Sequence, residues 1–324
     1  MKRMLTLLIL CLTCLSLFSQ GTDSTFEWKA PKSSPQKSGY KLIAFLDSRQ
    51  DTSCVGSYSL ETGARPTKLV LKTPVEPQLE AILNAYSDAS SGFGALLFQL
   101  KRFSFAETQR TVYTYLSATL YALKDNGYVP LLDLDTTLVI DGPVNFEPAL
   151  AAASNAVIDD FIARGIVLTP ADTIVYSYED VRHVDSLRKR KLRVYNTSAY
   201  TQGFYSNYTA FKNQTPDLQG EVKLRSDSNM AITLHSAGWT EPREKKHIFA
   251  VVYKGVPYVV THFGYYRLQK VGDDFYFDGR LNVAGAPSNP FGVFSANAGS
   301  PDKRNYHVLI DYRNGEFIHL KAPE

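Results

Sequence analysis

The feature that most constrains this chain is a two-residue alternation running from 111 to 140. Val112, Leu116, Ala118, Leu120 and Ala122 share one parity, and Tyr113, Tyr115, Ser117, Thr119 and Tyr121 share the other. Past Asp125-Asn126-Gly127, Leu132, Leu134, Leu138 and Ile140 point one way and Asp133, Asp135 and Thr137 the other. A period of two belongs to a pleated strand, whose successive side chains face opposite sides. Asn-Gly is a favoured pair where a tight turn needs positive φ. The segment therefore predicts a hairpin of two half-buried strands.

Apolar stripes with helical spacing flank this hairpin. Leu79, Ile82, Leu83 and Tyr86 form one over 76–86, and Pro77 is tolerated in the first turn, where no N–H is needed. Leu150, Ala153, Val157, Phe161 and Ile162 form a second, with Asn145 as its cap and Gly165 at its end. Residues 40–46 and 93–105 read as further strands. The order strand, helix, three strands, helix predicts an α+β fold, a largely antiparallel N-terminal sheet with covering helices. From 192 onward the helical period disappears, and a mainly β C-terminal domain of hairpins is expected. Lys254-Gly255, Val271-Gly272-Asp273-Asp274 and Asn314-Gly315 mark its turns. Pro257 should confine its strand to an edge or a bulge.

The first residues read as an address. Lys2 and Arg3 precede an uncharged apolar run of 14 residues, Leu5 to Phe18, followed by Ser19-Gln20-Gly21. That run is short of the roughly 20 residues a membrane-spanning helix needs and fits a cleaved signal peptide. The expectation is an exported protein, periplasmic or outer-membrane-associated or extracellular, with no transmembrane segment after cleavage. Cys11-Leu12-Thr13 makes a poor lipobox for Cys14. Cys54 would then be the one remaining thiol, without an internal disulfide partner, and reads as a buried small hydrophobe. The chain divides into a signal peptide (1–20), a flexible lead (21–39), the α+β domain (40–175), a charged bridging helix (176–191) and the β domain (192–324). The bridge opens on Ser177 and Asp180 at capping-box spacing, and its run Arg188-Lys189-Arg190-Lys191 reads as a solvated helix face.

Composition excludes several classes. A chain of 324 residues with 44% hydrophobic and 21% charged residues is not disordered, coiled-coil, collagen-like or a multi-span membrane protein. A net charge of +3 gives no case for nucleic acid as a partner. No G-x-S-x-G elbow, phosphate loop or dinucleotide fingerprint occurs, so no catalytic or cofactor-binding residue is assigned. The six histidines lack the i, i+4 spacing of a helical zinc site, and no metal ligand is assigned. His235 and His262 read as ordinary strand histidines. Asp133 and Asp135 stand about 7 Å apart on one strand face, a separation a glycosidase pair could use; on a wet face, solvation explains them better.

Two groups remain as a possible binding surface. Asp47, Arg49 and Asp51 form a dense polar loop beside Cys54, in the pattern of an internal ion-pair network. Tyr113, Tyr115 and Tyr121 share a strand face, which would stack sugars if uncovered and would be core if covered.

The run Gly203-Phe204-Tyr205-Ser206-Asn207-Tyr208-Thr209-Ala210-Phe211-Lys212-Asn213, with Tyr195-Asn196-Thr197 before it and Pro216 after it, resembles uncharacterised secreted and envelope proteins of Bacteroidetes. Tyr253-Lys254-Gly255 ahead of a strand and Phe18-Ser19-Gln20 are similar to theirs too. The resemblance covers roughly 190–280 and implies lineage and export, with no catalytic or ligand residues. Asp47-Ser48-Arg49 after a strand also resembles a loop of envelope lipoproteins. Physically the motif is a structural corner: Gly203 permits a bend, Phe204 and Tyr208 anchor it, and Pro216 stops a helical turn. The functional expectation is a non-catalytic exported envelope protein that binds another envelope component. The alternative is a carbohydrate-binding or glycan-degrading protein, the partner then being a glycan.

Overall fold

The structure, a computed structural model, describes residues 23–32, 38, 40–58, 67–86, 94–107, 111–141, 146–170, 174–226, 229–235, 248–261, 263–280 and 305–321. The proposed signal peptide lies outside them. In chain order the elements are β1 (Ser24–Phe26), β2 (Lys41–Asp47), β3 (Gly56–Tyr58), β4 (Thr67–Leu71), α1 (Val75–Tyr86), β5 (Ala95–Glu107), β6 (Thr111–Lys124), β7 (Gly127–Asp141) and α2 (Phe146–Gly165). Then come α3 (Tyr178–Arg182), α4 (Val184–Lys189), α5 (Arg193–Asn196), β8 (Gly203–Tyr205), α6 (Tyr208–Asn213), β9 (Gln219–Ser226), β10 (Asn229–His235), β11 (Ala250–Tyr253), β12 (Val256–Val260), β13 (Tyr265–Arg267), β14 (Gln269–Val271), β15 (Asp274–Gly279), β16 (Tyr306–Ile310) and β17 (Phe317–Lys321). This is an α+β fold of largely antiparallel sheets with a few helices.

The alternation from 111 to 140 forms the expected hairpin, β6 with β7. Its turn is shifted by one residue: Asp125 and Asn126 hold the positive φ angles, 49° and 66°, and Gly127 already pairs with Lys124. Gly127 has another reason to be glycine, because a Cβ there would run into Val175. The 174–176 segment lies that close because Tyr128 and Tyr176 form an antiparallel bridge. β5 joins β6 antiparallel and β2 joins β5 parallel, in the order β2-β5-β6-β7. Val112, Leu116, Ala118, Leu120 and Ala122 share a core with Leu79, Ile82 and Leu83 of α1 and Leu150, Phe161 and Ile162 of α2. The other face of β6 is buried as well, which the half-buried expectation missed; the C-terminal part covers it.

Residues 21–39 are not simply a flexible lead. β1 pairs parallel with β4, and Phe26 and Trp28 are buried in the N-terminal core. The Trp28 backbone N–H donates to Gln78 Oε1 at 2.6 Å, and its indole Nε1 donates to Ser154 Oγ at 3.1 Å. Two aromatics at i and i+2 are a strand signal that the surrounding Ser, Thr, Lys and Pro residues masked. The bridge differs too: it is two short helices, α3 and α4, broken at His183 (φ −114°, ψ 13°). Its capping box does form between Ser177 and Asp180.

The C-terminal part carries sheets in the orders β13-β12-β11-β8 and β14-β15-β16-β17, with β9 and β10 as a separate pair. Pro257 lies in β12, an interior strand rather than an edge. Tyr253↔Val256 is the pair next to the turn, so at Val252↔Pro257 the proline nitrogen faces away from β11. It faces Leu268, just past the end of β13, whose backbone N–H donates to Pro257 O at 2.9 Å; the reciprocal bond is the one the proline forgoes. Asn314-Gly315 does not form a two-residue turn: Tyr312 to Gly315 loop between Asp311 and Glu316, whose backbones hydrogen-bond at 2.9 Å. Gly315 takes φ 81°, and a Cβ there would strike the Tyr208 ring. The 203–216 corner forms as read, with Asn207 capping α6, Gln214 closing it in the left-handed region, and Tyr208 OH donating to Tyr312 O at 2.7 Å. Among the described residues no helix is long and apolar enough to cross a membrane.

Trp28→Ala should lower stability by about 3–5 kcal/mol through cavity formation and loss of the aromatic packing. Trp28→Phe should cost about 1–2 kcal/mol, chiefly through the Ser154 bond. Urea unfolding midpoints at constant slope measure both.

Candidate functional site

The outer face of the central sheet, away from α1 and α2, is where the N- and C-terminal parts meet. Tyr113, Tyr115, Val139 and Ala106 cluster there with Leu309 of β16 and Ile318 of β17. Tyr115 OH and His319 Nδ1 lie 2.6 Å apart, and the His319 backbone N–H donates to the same hydroxyl at 3.2 Å. Tyr121 packs with Val181 of α3 and donates to Gln99 Oε1, while Gln99 Nε2 donates to Val181 O and to Ser48 Oγ, each at 3.0 Å. The three tyrosines are therefore core, at 5%, 3% and 0% exposure, and offer no stacking surface to a sugar. Burial pushes the Tyr115 and Tyr121 phenols well above their ordinary range.

Asp133 and Asp135 are not simply solvated. Asp133 accepts from Thr119 Oγ1 and meets Arg188 at 3.4 Å. Asp135 meets Arg313 Nη2 at 2.8 Å, and the same nitrogen reaches Ser117 Oγ at 2.9 Å and Asp311 at 3.2 Å. Arg102 of β5 closes the cluster on Asp311 at 2.9 Å. Two carboxylates thus share two guanidiniums. Burial raises the Asp135 carboxyl to about 6, and the Asp311 charge adds to this against the pull of Arg313. Burial works the same way on Asp311, but Arg313 and Arg102 outweigh it and hold Asp311 well below the carboxylate range.

Beside this junction lies a cleft of about 330 Å3, lined by the 48–56 loop, β5, α4, β15 and the β16–β17 hairpin. Of the sequence candidates, Arg49, Asp51 and Cys54 line it, and Asp47 grips Arg49. Arg49 Nε and Nη2 donate to the Asp47 carboxylate at 2.7–3.2 Å. Lys101 meets Asp185 at 3.0 Å, and Lys189 meets Asp274 at 2.6 Å. Asp51 is not part of that ion-pair network: it accepts from Ser53 N and Oγ, bonds that lower its carboxyl. Cys54 is half-buried, contrary to its reading as a core residue, with Sγ 3.6 Å from Asp51. Burial, and then the Asp51 charge, raise its thiol.

Lys101, Arg102, Lys189, Asp274 and Asp311 escaped the sequence reading because they come from separate elements. One signal was available. Lys101-Arg102 interrupts an apolar strand at the point where the β5–β6 register shifts, and paired charges there mark a bulge. The basic run 188–191 is likewise more than a solvated face, since Lys189 is buried. Among the described residues no cluster of three metal-binding side chains occurs. The side chain of His235, and all of His247 and His262, lie outside the described residues.

No protein-family model matches this chain, and no curated protein matches it. Among solved structures it is similar to a Xanthomonas campestris protein of family DUF330, at 11% identity and TM-score 0.32, over 45% of this chain and 95% of that one. An uncharacterised protein matches at 13% identity and TM-score 0.25, over 43% of this chain and 98% of the other. Likenesses this low bear on neither fold nor activity.

Because the folded-state carboxyl of Asp135 is raised, the stability it contributes is present at acid pH and lost as pH rises from its ordinary 3.8 toward 6. Thermal midpoints of wild type and Asp135→Asn should agree near the acid end and separate by pH 7, the variant then the more stable. Cys54 should react with a neutral disulfide reagent at pH 7 more slowly than free cysteine, which a timed absorbance assay measures.

Proposed function

We propose that this is a non-catalytic exported protein of the cell envelope, and that the cleft beside the junction binds another envelope component. One observation carries the reading: the cations of the cleft stand in closed pairs, Arg49 with Asp47, Lys101 with Asp185, Arg102 with Asp311 and Lys189 with Asp274. Charges neutralised this way make a shaped polar wall, suited to specificity in recognition. A catalytic acid or base instead needs a pKa tuned to its task and access to the substrate. Cys54, the thiol in the cleft, has its pKa pushed the wrong way for a nucleophile. Export rests on Lys2, Arg3 and the apolar run that follows. The glycan alternative loses its tyrosine motivation, because Tyr113, Tyr115 and Tyr121 are buried, and its carboxylates Asp133 and Asp135 stand in ion pairs with Arg188 and Arg313.

Capture from native envelopes with the mature protein as bait should recover a stable partner. Asp51→Lys reverses an exposed charge at the cleft without touching the core and should cut recovery roughly tenfold while leaving the circular dichroism unchanged. Recovery of no partner, or substrate turnover by the purified protein, would overturn the reading.

A further inference from the structure

The inference shares the export reading above and concerns a second surface, the turn that follows α4. Residues 188–193 carry five cations, and the structure divides them. Arg188 meets Asp133 at 3.4 Å and Lys189 meets Asp274 at 2.6 Å. Arg190, Lys191 and Arg193 are exposed and meet no carboxylate among the described residues. The acids before them in the chain are engaged elsewhere: Asp180 closes the capping box with Ser177, and Asp185 is held by Lys101 and Tyr312. Lys270, whose Nζ donates to Tyr195 O at 2.5 Å, and Asp273 on the adjoining β14–β15 hairpin offset one another in charge.

The backbone holds the trio on one short turn. Lys191 N–H donates to Arg188 O at 3.1 Å and Leu192 N–H to Lys189 O at 2.9 Å, and Asn196 Nδ2 donates to Arg190 O. Lys189, Val194 and Tyr195 are buried on either side of it. The three charges are therefore placed in advance, and meeting an anion with them requires little further ordering of the backbone. Like charges this close repel one another, and a negative partner relieves that repulsion.

Shape selects the kind of anion. A small anion is held where donors converge in a concavity; the cleft reaches Lys189 and stops short of the trio. Cations exposed on a turn suit an extended anionic plane instead. An exported envelope protein meets such a plane in the phospholipid headgroups of the membranes around it, where each nearby Lys or Arg is worth roughly fivefold in partition.

We infer that Arg190, Lys191 and Arg193 form a docking point for the anionic phospholipid surface of a membrane. Lys189, which lines the cleft, sets the cleft at the margin of that contact.

The test is co-sedimentation of the mature protein with vesicles at millimolar lipid. Vesicles of phosphatidylglycerol and phosphatidylcholine should carry the protein down at low salt, vesicles of phosphatidylcholine alone should not, and sodium chloride should release it. Arg190→Gln, Lys191→Gln and Arg193→Gln together should lower the partition by at least roughly tenfold, to the level of neutral vesicles. Lys41→Gln, Lys68→Gln and Arg267→Gln together remove the same charge from exposed positions elsewhere and should leave most of the binding. Should the first triple variant not fold by circular dichroism, its three single variants should each lose roughly fivefold. Equal losses in both triples would mean that net charge alone binds, and would overturn the site. Equal recovery on both kinds of vesicle, or recovery on neither, overturns it too. Release by inorganic phosphate at constant ionic strength replaces the lipid surface with a discrete phosphate site. Envelope capture separates this inference from the cleft reading. A protein partner recovered without any vesicle binding leaves the cleft and removes this surface. Vesicle binding without any protein partner does the reverse.

Discussion

The structure depends on one constraint: the two middle strands of its central sheet, β5 and β6, are buried on both faces. Val112, Leu116, Ala118 and Leu120 of β6 give α1 and α2 an aliphatic surface, and burial of such surface drives that layer together without directional demands. The opposite face carries Gln99, Tyr115, Ser117, Thr119 and Tyr121, all buried and all with polar atoms. Covering such a face demands acceptors and donors at fixed places. His319 meets Tyr115, Arg313 meets Ser117, and Val181 O meets Gln99. Apolar burial gives the two parts their attraction, and these bonds select one way of docking.

The charges at that junction follow the same logic. A buried ion pair adds little net stability over an apolar replacement, but removing one member leaves an unmatched charge. Arg313, Arg102 and Asp311 therefore depend on one another, whereas Asp135, opposed by burial and by the Asp311 charge, is the member that can be neutralised. Asp135 carries the cost of the arrangement in its raised carboxyl, and Asp311 carries the gain. The cleft lies at the margin of this cluster, where the 48–56 loop reaches over β5 and the β16–β17 hairpin does not fill the space. Much of its polarity is inherited from the docking contacts, and its cations stand in ion pairs.

Much of the local architecture was legible. Alternation located β6 and β7, helical spacing located α1 and α2, and Ser177 with Asp180 located the start of α3, because these patterns arise between residues a few positions apart. The misreadings share a cause. Phe26 and Trp28 sit in a polar segment, Pro257 points to an edge or a bulge, and Asn126-Gly127 points to a turn one residue later than the one that forms. In each case a neighbour distant in the chain decided: the core under α1 and α2 for Trp28, the end of β13 for Pro257, and Val175 for Gly127. Of the candidate site, the Asp47-Arg49-Asp51 loop was visible and the rest was not.

By itself, the sequence determined which segments become strands and helices and which of their faces are aliphatic, since both depend on backbone geometry and side-chain period. It also held the polar loop from which Arg49 reaches the cleft. Only the tertiary structure decided that Tyr113, Tyr115 and Tyr121 are core, that Asp135 shares its charge with Arg313, and that Lys101, Lys189 and Asp274 stand around one cleft. Those outcomes turn on distances between residues up to about two hundred positions apart, and no local period encodes a distance of that kind.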